Sequence, residues 1–255
     1  MVLNNKNPLI LGILFSVALF NNGLQANESR TLTENIGLND NDESKFFVGI
    51  NTGVSYRQGG SNTTDGGGAL GGGGTVTDLR FSNGNTMGGQ IGYQFSPNFL
   101  TFLSYDFIRG DVRWNSDFAA PGVLDSLYKA KAKSDVVMIN VGYTKELNDS
   151  TNVIMNLGAG IANNSLNDIV ESAAGISATI NSGTKKSFAA RAGIALEHNV
   201  YKNFQIGLGV NIDYYGDFTT SKTRNLSGGG TDTIGVYELH KVWGRTFTLR
   251  AVINY

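Results

Sequence analysis

Cysteine is absent from this 255-residue chain and proline occurs only 3 times. The first absence excludes a disulfide framework, a thiol nucleophile and any cysteine-ligated metal. The second suits long hydrogen-bonded ladders, because proline cannot donate to one. An excess of one charge is also missing: 20 basic against 21 acidic residues leave a net charge of −1, which argues against an extended nucleic-acid surface. No apolar run reaches the ~18 residues of a spanning helix. Histidine is limited to His198 and His240, too few for a metal-ligand spacing pattern. What is abundant is glycine, at 34 residues.

The first 45 residues read as processing and leader sequence. Lys6 supplies positive charge, residues 9–20 (LILGILFSVALF) an apolar core, and Leu24-Gln25-Ala26 a small-residue end. That is the pattern of a secretory signal peptide spanning 1–26, with cleavage expected between Ala26 and Asn27. Residues 27–45 are polar and acidic and are expected to be a leader before a domain covering 46–255.

From Phe46 onward, apolar and polar residues alternate with period two, the mark of strands with one apolar face. Eight such stretches recur: FFVGINTGVSYR, TMGGQIGYQF, residues 99–109, DVVMINVGYTK, NVIMNLGAGIA, SFAARAGIALEH, NFQIGLGVNIDYY and the closing WGRTFTLRAVINY. The third is imperfect, since Leu100 and Phe102 share a face with Ser104 and Asp106. Connections between them alternate in length. Those at 96–98, 146–151 and 199–202 are short; those near 58–84, 110–133, 163–186 and 217–240 are long, polar and rich in glycine or serine. All short turns then lie at one end beside both termini, and all long loops lie at the other.

An even number of strands of about ten residues, with short and long connections in turn, predicts an all-β fold: an eight-stranded antiparallel up-and-down transmembrane barrel. Closure is required because unpaired backbone groups cannot face lipid. The apolar face then points at lipid. Aromatic residues gather at both its ends, with Phe95, Phe99, Tyr143, Phe204 and Tyr255 on the turn side and Tyr56, Phe107, Tyr214 and Trp243 on the loop side. The signal pattern, the eight strands and the terminal VINY resemble small eight-stranded outer-membrane proteins, the OmpA-like, opacity and Msp4-type surface-antigen barrels. The resemblance implies the outer membrane of a Gram-negative bacterium. It also implies that Phe247, Leu249, Ile253 and Tyr255 form a C-terminal signal read by the outer-membrane assembly machinery.

Five charges should project into the lumen: Asp106, Arg191, Glu197, Asp213 and Arg250. Arg191 is expected near Asp213 and Asp106, with Arg250 lower and nearer Glu197. They make either a salt-bridged plug or an ion path with selecting charges. Lys129, Lys131 and Lys133, with Arg109 and Arg245, suggest a basic outer rim that contacts lipopolysaccharide phosphates or is simply solvated. Gly66 to Gly71 matches GxGxxG literally but lacks the strand and helix a nucleotide site requires. His240 with Glu238 and Ser221 imitates the catalytic set of lipid-modifying barrels, yet no triad with both histidines can be assembled. The sequence therefore predicts no cofactor, no metal and no catalysis. It predicts a surface protein whose loops serve adhesion, antigenic display or membrane integrity through a host or environmental ligand. The alternative is a narrow porin-like diffusion pore.

Overall fold

The computed structural model describes residues 45–61, 74–118, 125–173 and 176–255. The chain divides into two units, 1–42 and 43–255, and all described residues belong to the second. The expected signal peptide, the leader up to 44 and the glycine run at 66–71 lie outside the described residues.

The described residues form twelve strands: β1 (Lys45–Gly60), β2 (Gly74–Phe81), β3 (Asn83–Ser96), β4 (Phe99–Phe118), β5 (Ser126–Asn148), β6 (Thr151–Ala173), β7 (Ile176–Ile180), β8 (Gly183–Tyr201), β9 (Phe204–Thr219), β10 (Thr223–Leu226), β11 (Thr231–Thr233) and β12 (Glu238–Asn254). Eight of them pair antiparallel in a closed ring: β1 with β3, then β4, β5, β6, β8, β9, β12 and back to β1. Three tight turns, at 97–98, 149–150 and 202–203, join them at one end. At that end the Tyr255 amide donates to the Phe46 carbonyl (2.8 Å), tying the last residue to the first barrel strand.

Within the ring the usual partition of side chains is inverted. Ile139, Leu157 and Leu208 are each more than 60% exposed, whereas Asp213, on the lumen side, has no exposed surface. Such an arrangement is stable only if the outer surface meets hydrocarbon rather than water. Glycine on the lumen side lets the walls close. A Cβ at Gly92 would collide with Phe47 and Phe102, and an eight-stranded barrel has little room to spare.

The partition reverses again toward the loop end. On β4 the outward residues run Leu103, Tyr105 and Phe107, then Arg109, Asp111 and Arg113; the inward ones run Ser104 and Asp106, then Ile108, Val112 and Trp114. On β5 the outward sequence is Ile139 and Val137, then Asp135, Lys133, Lys131 and Lys129, while Val136, Ala132, Ala130 and Tyr128 turn inward. Beyond Phe107 and Val137 the outer solvent is therefore water, and the wall has an ordinary apolar core behind it.

This second core explains why the expected long loops are largely strand. β4 and β5 stay paired as far as Ser116 and Ser126, so 110–133 is mostly a hairpin rather than a loop. β2 adds to the edge of β4, and β7, β10 and β11 extend the sheet from β6. Three irregularities in this region, each with two residues opposite one, carry a non-glycine residue at positive φ: Asp78 (49°) on β2, Asp168 (50°) on β6 and Lys241 (52°) on β12. Bulges of this kind re-aim side chains at a barrel rim.

Candidate functional site

The lumen is filled in three tiers. Nearest the turns, Phe47, Leu100, Phe102, Ile154, Ala195 and Val252 form an apolar cluster. The imperfect alternation of the third stretch is explained here: Leu100 and Phe102 face the lumen because this tier is apolar.

The middle tier is ionic. Arg191 donates through Nε to Asp213 Oδ1 (2.5 Å) and through Nη1 to Asp106 Oδ2 (2.8 Å). Asp213 Oδ2 also accepts from Thr246 Oγ1 (2.6 Å) and the Tyr215 hydroxyl (3.1 Å), and Asp106 Oδ1 accepts from Asn51 Nδ2 (3.1 Å). One step toward the turns, Arg250 Nη2 donates to Gln90 Oε1 (2.9 Å) and lies 3.3 Å from Glu197 Oε1. The charges are thus paired and hydrogen-bonded on several sides, which offsets the cost of taking them from water. Two small cavities border these charges: one of about 20 Å³ beside Arg191 and Arg250, and one of about 70 Å³ between Arg250 and the turn end. The first has room for about one water.

Toward the loops lies the aromatic tier. Trp114 stacks on Tyr128 with centroids 5.2 Å apart, and Tyr237 leans on both. The Tyr237 hydroxyl donates to that of Tyr128 (3.0 Å). Tyr215, Phe218, Leu239 and Val242 complete this core. Between the ionic and aromatic tiers sits Arg57, also buried; its Nη2 donates to the Ala132 carbonyl (3.2 Å).

Two polar clusters tie the outer strands together. Arg224 on β10 lies 3.2 Å from Glu171 Oε2 on β6 and 2.7 Å from Asp232 Oδ2 on β11, and Glu171 Oε1 also accepts from Ser126 Oγ. Elsewhere Lys185 Nζ sits 3.3 Å from both Asp217 Oδ2 and Glu238 Oε1. His240 approaches the same two carboxylates at 3.5 Å. The Lys241 amide, at its bulge, donates to Asp217 Oδ1 (2.9 Å). Partial burial disfavours the Asp217 carboxylate, but the Lys241 amide and Lys185 outweigh it and hold its carboxyl below the usual range. Burial likewise opposes the Lys185 charge, yet bonds to Glu238 and Asp217 hold its ammonium above the ordinary lysine range.

The expected site residues fall as follows. Asp106, Arg191, Glu197, Asp213 and Arg250 face the lumen in the two groups just described. Phe247, Leu249 and Ile253 are exposed on the outer face of β12, and Tyr255 is exposed just after its end. In the basic set, Arg109 and Lys133 are partners across β4 and β5, and Lys131 pairs with Asp168 at 3.0 Å. Arg245 is not brought to them; it lies on β12 with its guanidinium over Trp243. His240 meets Glu238, but Ser221 does not join them, its hydroxyl accepting from the Thr223 amide. His198 lies near a turn beside Thr151. No cluster of three metal-ligating side chains occurs among the described residues.

Sequence reading missed Arg57, Trp114, Tyr128, Glu171, Tyr215, Arg224 and Tyr237. A signal existed for some of them. The alternation in VRWNS and in KAKAK continues past the apolar stretch, with the small or aromatic residues now on the lumen side.

A closed ring of eight antiparallel strands, an apolar outer belt and short turns at a single end define an eight-stranded transmembrane β-barrel. No family profile matches the chain, and no curated protein matches it in sequence. Among solved structures it is similar to Neisserial surface protein A (12% identity, covering 82% of this chain and 97% of that one, TM-score 0.44). It is similar also to the outer membrane protein OprG of Pseudomonas aeruginosa (12%, 83% and 97%, TM-score 0.48). A third is the outer membrane protease OmpT of Escherichia coli (9%, 86% and 99%, TM-score 0.47).

Proposed function

We propose that this barrel acts at its outer surface, with a closed lumen, and that adhesion, antigenic display or membrane integrity is its work. The observation that carries this reading is the filled lumen: an apolar tier, a paired ionic tier and an aromatic tier succeed one another along the axis. The strands that extend beyond the lipid belt supply a firm surface for contact with ligands. In this reading the barrel is neither an enzyme nor a cofactor carrier, and His240 belongs to an ionic cluster with Lys185, Asp217 and Glu238. Signal cleavage at Ala26/Asn27 precedes assembly, and the outward set Phe247, Leu249, Ile253 and Tyr255 serves the assembly machinery. A narrow diffusion pore is the second reading, favoured by the two polar cavities on either side of Arg250. Single-channel conductance of refolded residues 27–255 in a planar bilayer tests both. Electrically silent insertion supports the surface role, and discrete steps that change in Arg191→Ala would replace it with the pore.

A further inference from the structure

Just above the lipid belt, on the outer wall, a groove of about 690 Å³ runs between β2 and β6 across the β4–β5 hairpin. We propose that it holds the phosphorylated sugar headgroup of an outer-leaflet glycolipid whose acyl chains lie against the belt below. Arg80, Arg113, Lys129 and Lys131 line it, with Phe81 and Val170 giving it an apolar component. The cations form a column, not a spot: Arg113 pairs with Lys129 across the hairpin and Arg109 with Lys133 next to the apolar belt, while between them Lys131 faces the acid Asp111. From Lys133 to Lys129 is four residues, or about 13 Å along a strand. That spread suits several anionic groups on an extended sugar, whereas one free phosphate would occupy a single step of it.

Two further features shape the groove. The bulges at Asp78 and Asp168 sit on the strands that flank the hairpin, opposite inward-facing Trp114 and Ala130 respectively. Each turns its aspartate outward, where Asp78 pairs with Arg80 (2.7 Å) and Asp168 with Lys131 (3.0 Å). Arg113, Lys129 and Lys133 make no ion pair with the described residues, and of these Arg113 and Lys129 line the groove. A lipid source follows from position. On β4 the column continues directly from the apolar Phe107; on β5 Asp135, which accepts from the Tyr105 hydroxyl, stands between the apolar Val137 and Lys133. A lipid whose chains contact those residues brings its phosphates to the cations without further cost in orientation, and charge-assisted bonds to phosphate are among the strong ones.

The inference rests on the long-loop end facing the medium, so the test separates the two. The full mature chain in neutral detergent micelles is titrated with bisphosphorylated lipid A, with its dephosphorylated form, with inorganic pyrophosphate and with a soluble sulfated oligosaccharide. The Arg113→Gln/Lys129→Gln variant should bind bisphosphorylated lipid A roughly tenfold more weakly and the dephosphorylated form unchanged. Asp168→Asn, which keeps a residue tolerant of positive φ and removes the acid competing for Lys131, should bind it about two- to threefold more tightly. Tightening is an effect that damage to the fold would not produce. Identical affinities in wild type and both variants overturn the proposal. Equal binding of pyrophosphate makes it a free-phosphate site, and preference for a soluble sulfated oligosaccharide makes it a site for a glycan from the medium; either result overturns the lipid assignment. Orientation is read separately: Ser82→Cys, in a chain with no other cysteine, should react with an impermeant maleimide on intact cells. Labelling only after lysis overturns the surface reading as well as the groove's access to outer-leaflet lipid, whereas normal labelling with no lipid A discrimination overturns the groove alone.

Discussion

Arg191 joins carboxylates from two strands, Asp106 on β4 and Asp213 on β9, in a space where the guanidinium and both acids are nearly or wholly shut off from solvent. Removing the cation leaves two buried negative charges facing one another. Arg191→Met should therefore destabilise the barrel by about 3–5 kcal/mol, measured by urea unfolding in micelles. The triple variant that adds Asp106→Asn and Asp213→Asn should recover much of that loss. At the rim, Asp217 and Lys185 give a pH signature. The depressed Asp217 carboxyl contributes stability that is present above the unfolded carboxylate pKa, roughly 4, and is lost as pH falls through its lower folded value. The raised Lys185 contributes stability that is present below roughly 10.4 and is lost as pH rises through its higher folded value. Hydrogen exchange at the Lys241 amide should be slowest, relative to its intrinsic rate, between those limits. Protection that is flat across both would remove the cluster's role as a strap.

Single strands carry two solvents. β4 and β5 each cross from a lipid-facing to a water-facing regime, and the reversal of faces occurs within two residues of Phe107 and Val137. The aromatic tier beyond that point holds the outer strands, so Trp114→Ala should cost about 3–5 kcal/mol. The loss should appear as faster exchange in the outer halves of β4, β5 and β12, leaving the lipid-facing halves protected. Arg224→Met should act on different elements. It takes the guanidinium from Glu171 and Asp232, loosens β10 and β11 from β7, and exposes residues 227–230 to protease while the barrel stays folded. Whole-barrel unfolding in that variant would mean that the outer sheet is not a separable layer. In the opposite direction, Gly92→Ala on β3 crowds Phe47 and Phe102 and should destabilise by about 1–3 kcal/mol through overpacking.

At the scale of the molecule, the proposed closed lumen, filled in three tiers, predicts that no single substitution in one tier opens a conducting path. Trp114→Ala should stay silent in a planar bilayer, because the Arg191 and Arg250 groups still close the lumen beneath it. Steps of conductance in that variant would place the only barrier in the aromatic tier. Eight barrel strands were legible in the sequence because lipid on one side forces a strict apolar face, and the short turns gave their order. The four extra strands were not. β7, β10 and β11 have 5, 4 and 3 residues, too few for periodicity to register, and they are strands only because a neighbour pairs with them.

Sequence alone determined what faces lipid, since period-two alternation in a strand assigns every residue to one side or the other. It thereby also determined that Asp106, Arg191, Glu197, Asp213 and Arg250 share the lumen side. Tertiary structure decided the rest. Which arginine meets which acid depends on the registers of several strands taken together, as when Arg191 on β8 reaches Asp106 across the barrel from β4. Whether 110–133 is a loop or a hairpin depended on Trp114, Tyr128 and Tyr237 finding one another from three separate strand ends. Contacts between residues distant along the chain leave no periodic trace in it, and those contacts are what fill this lumen and shape the wall above the membrane.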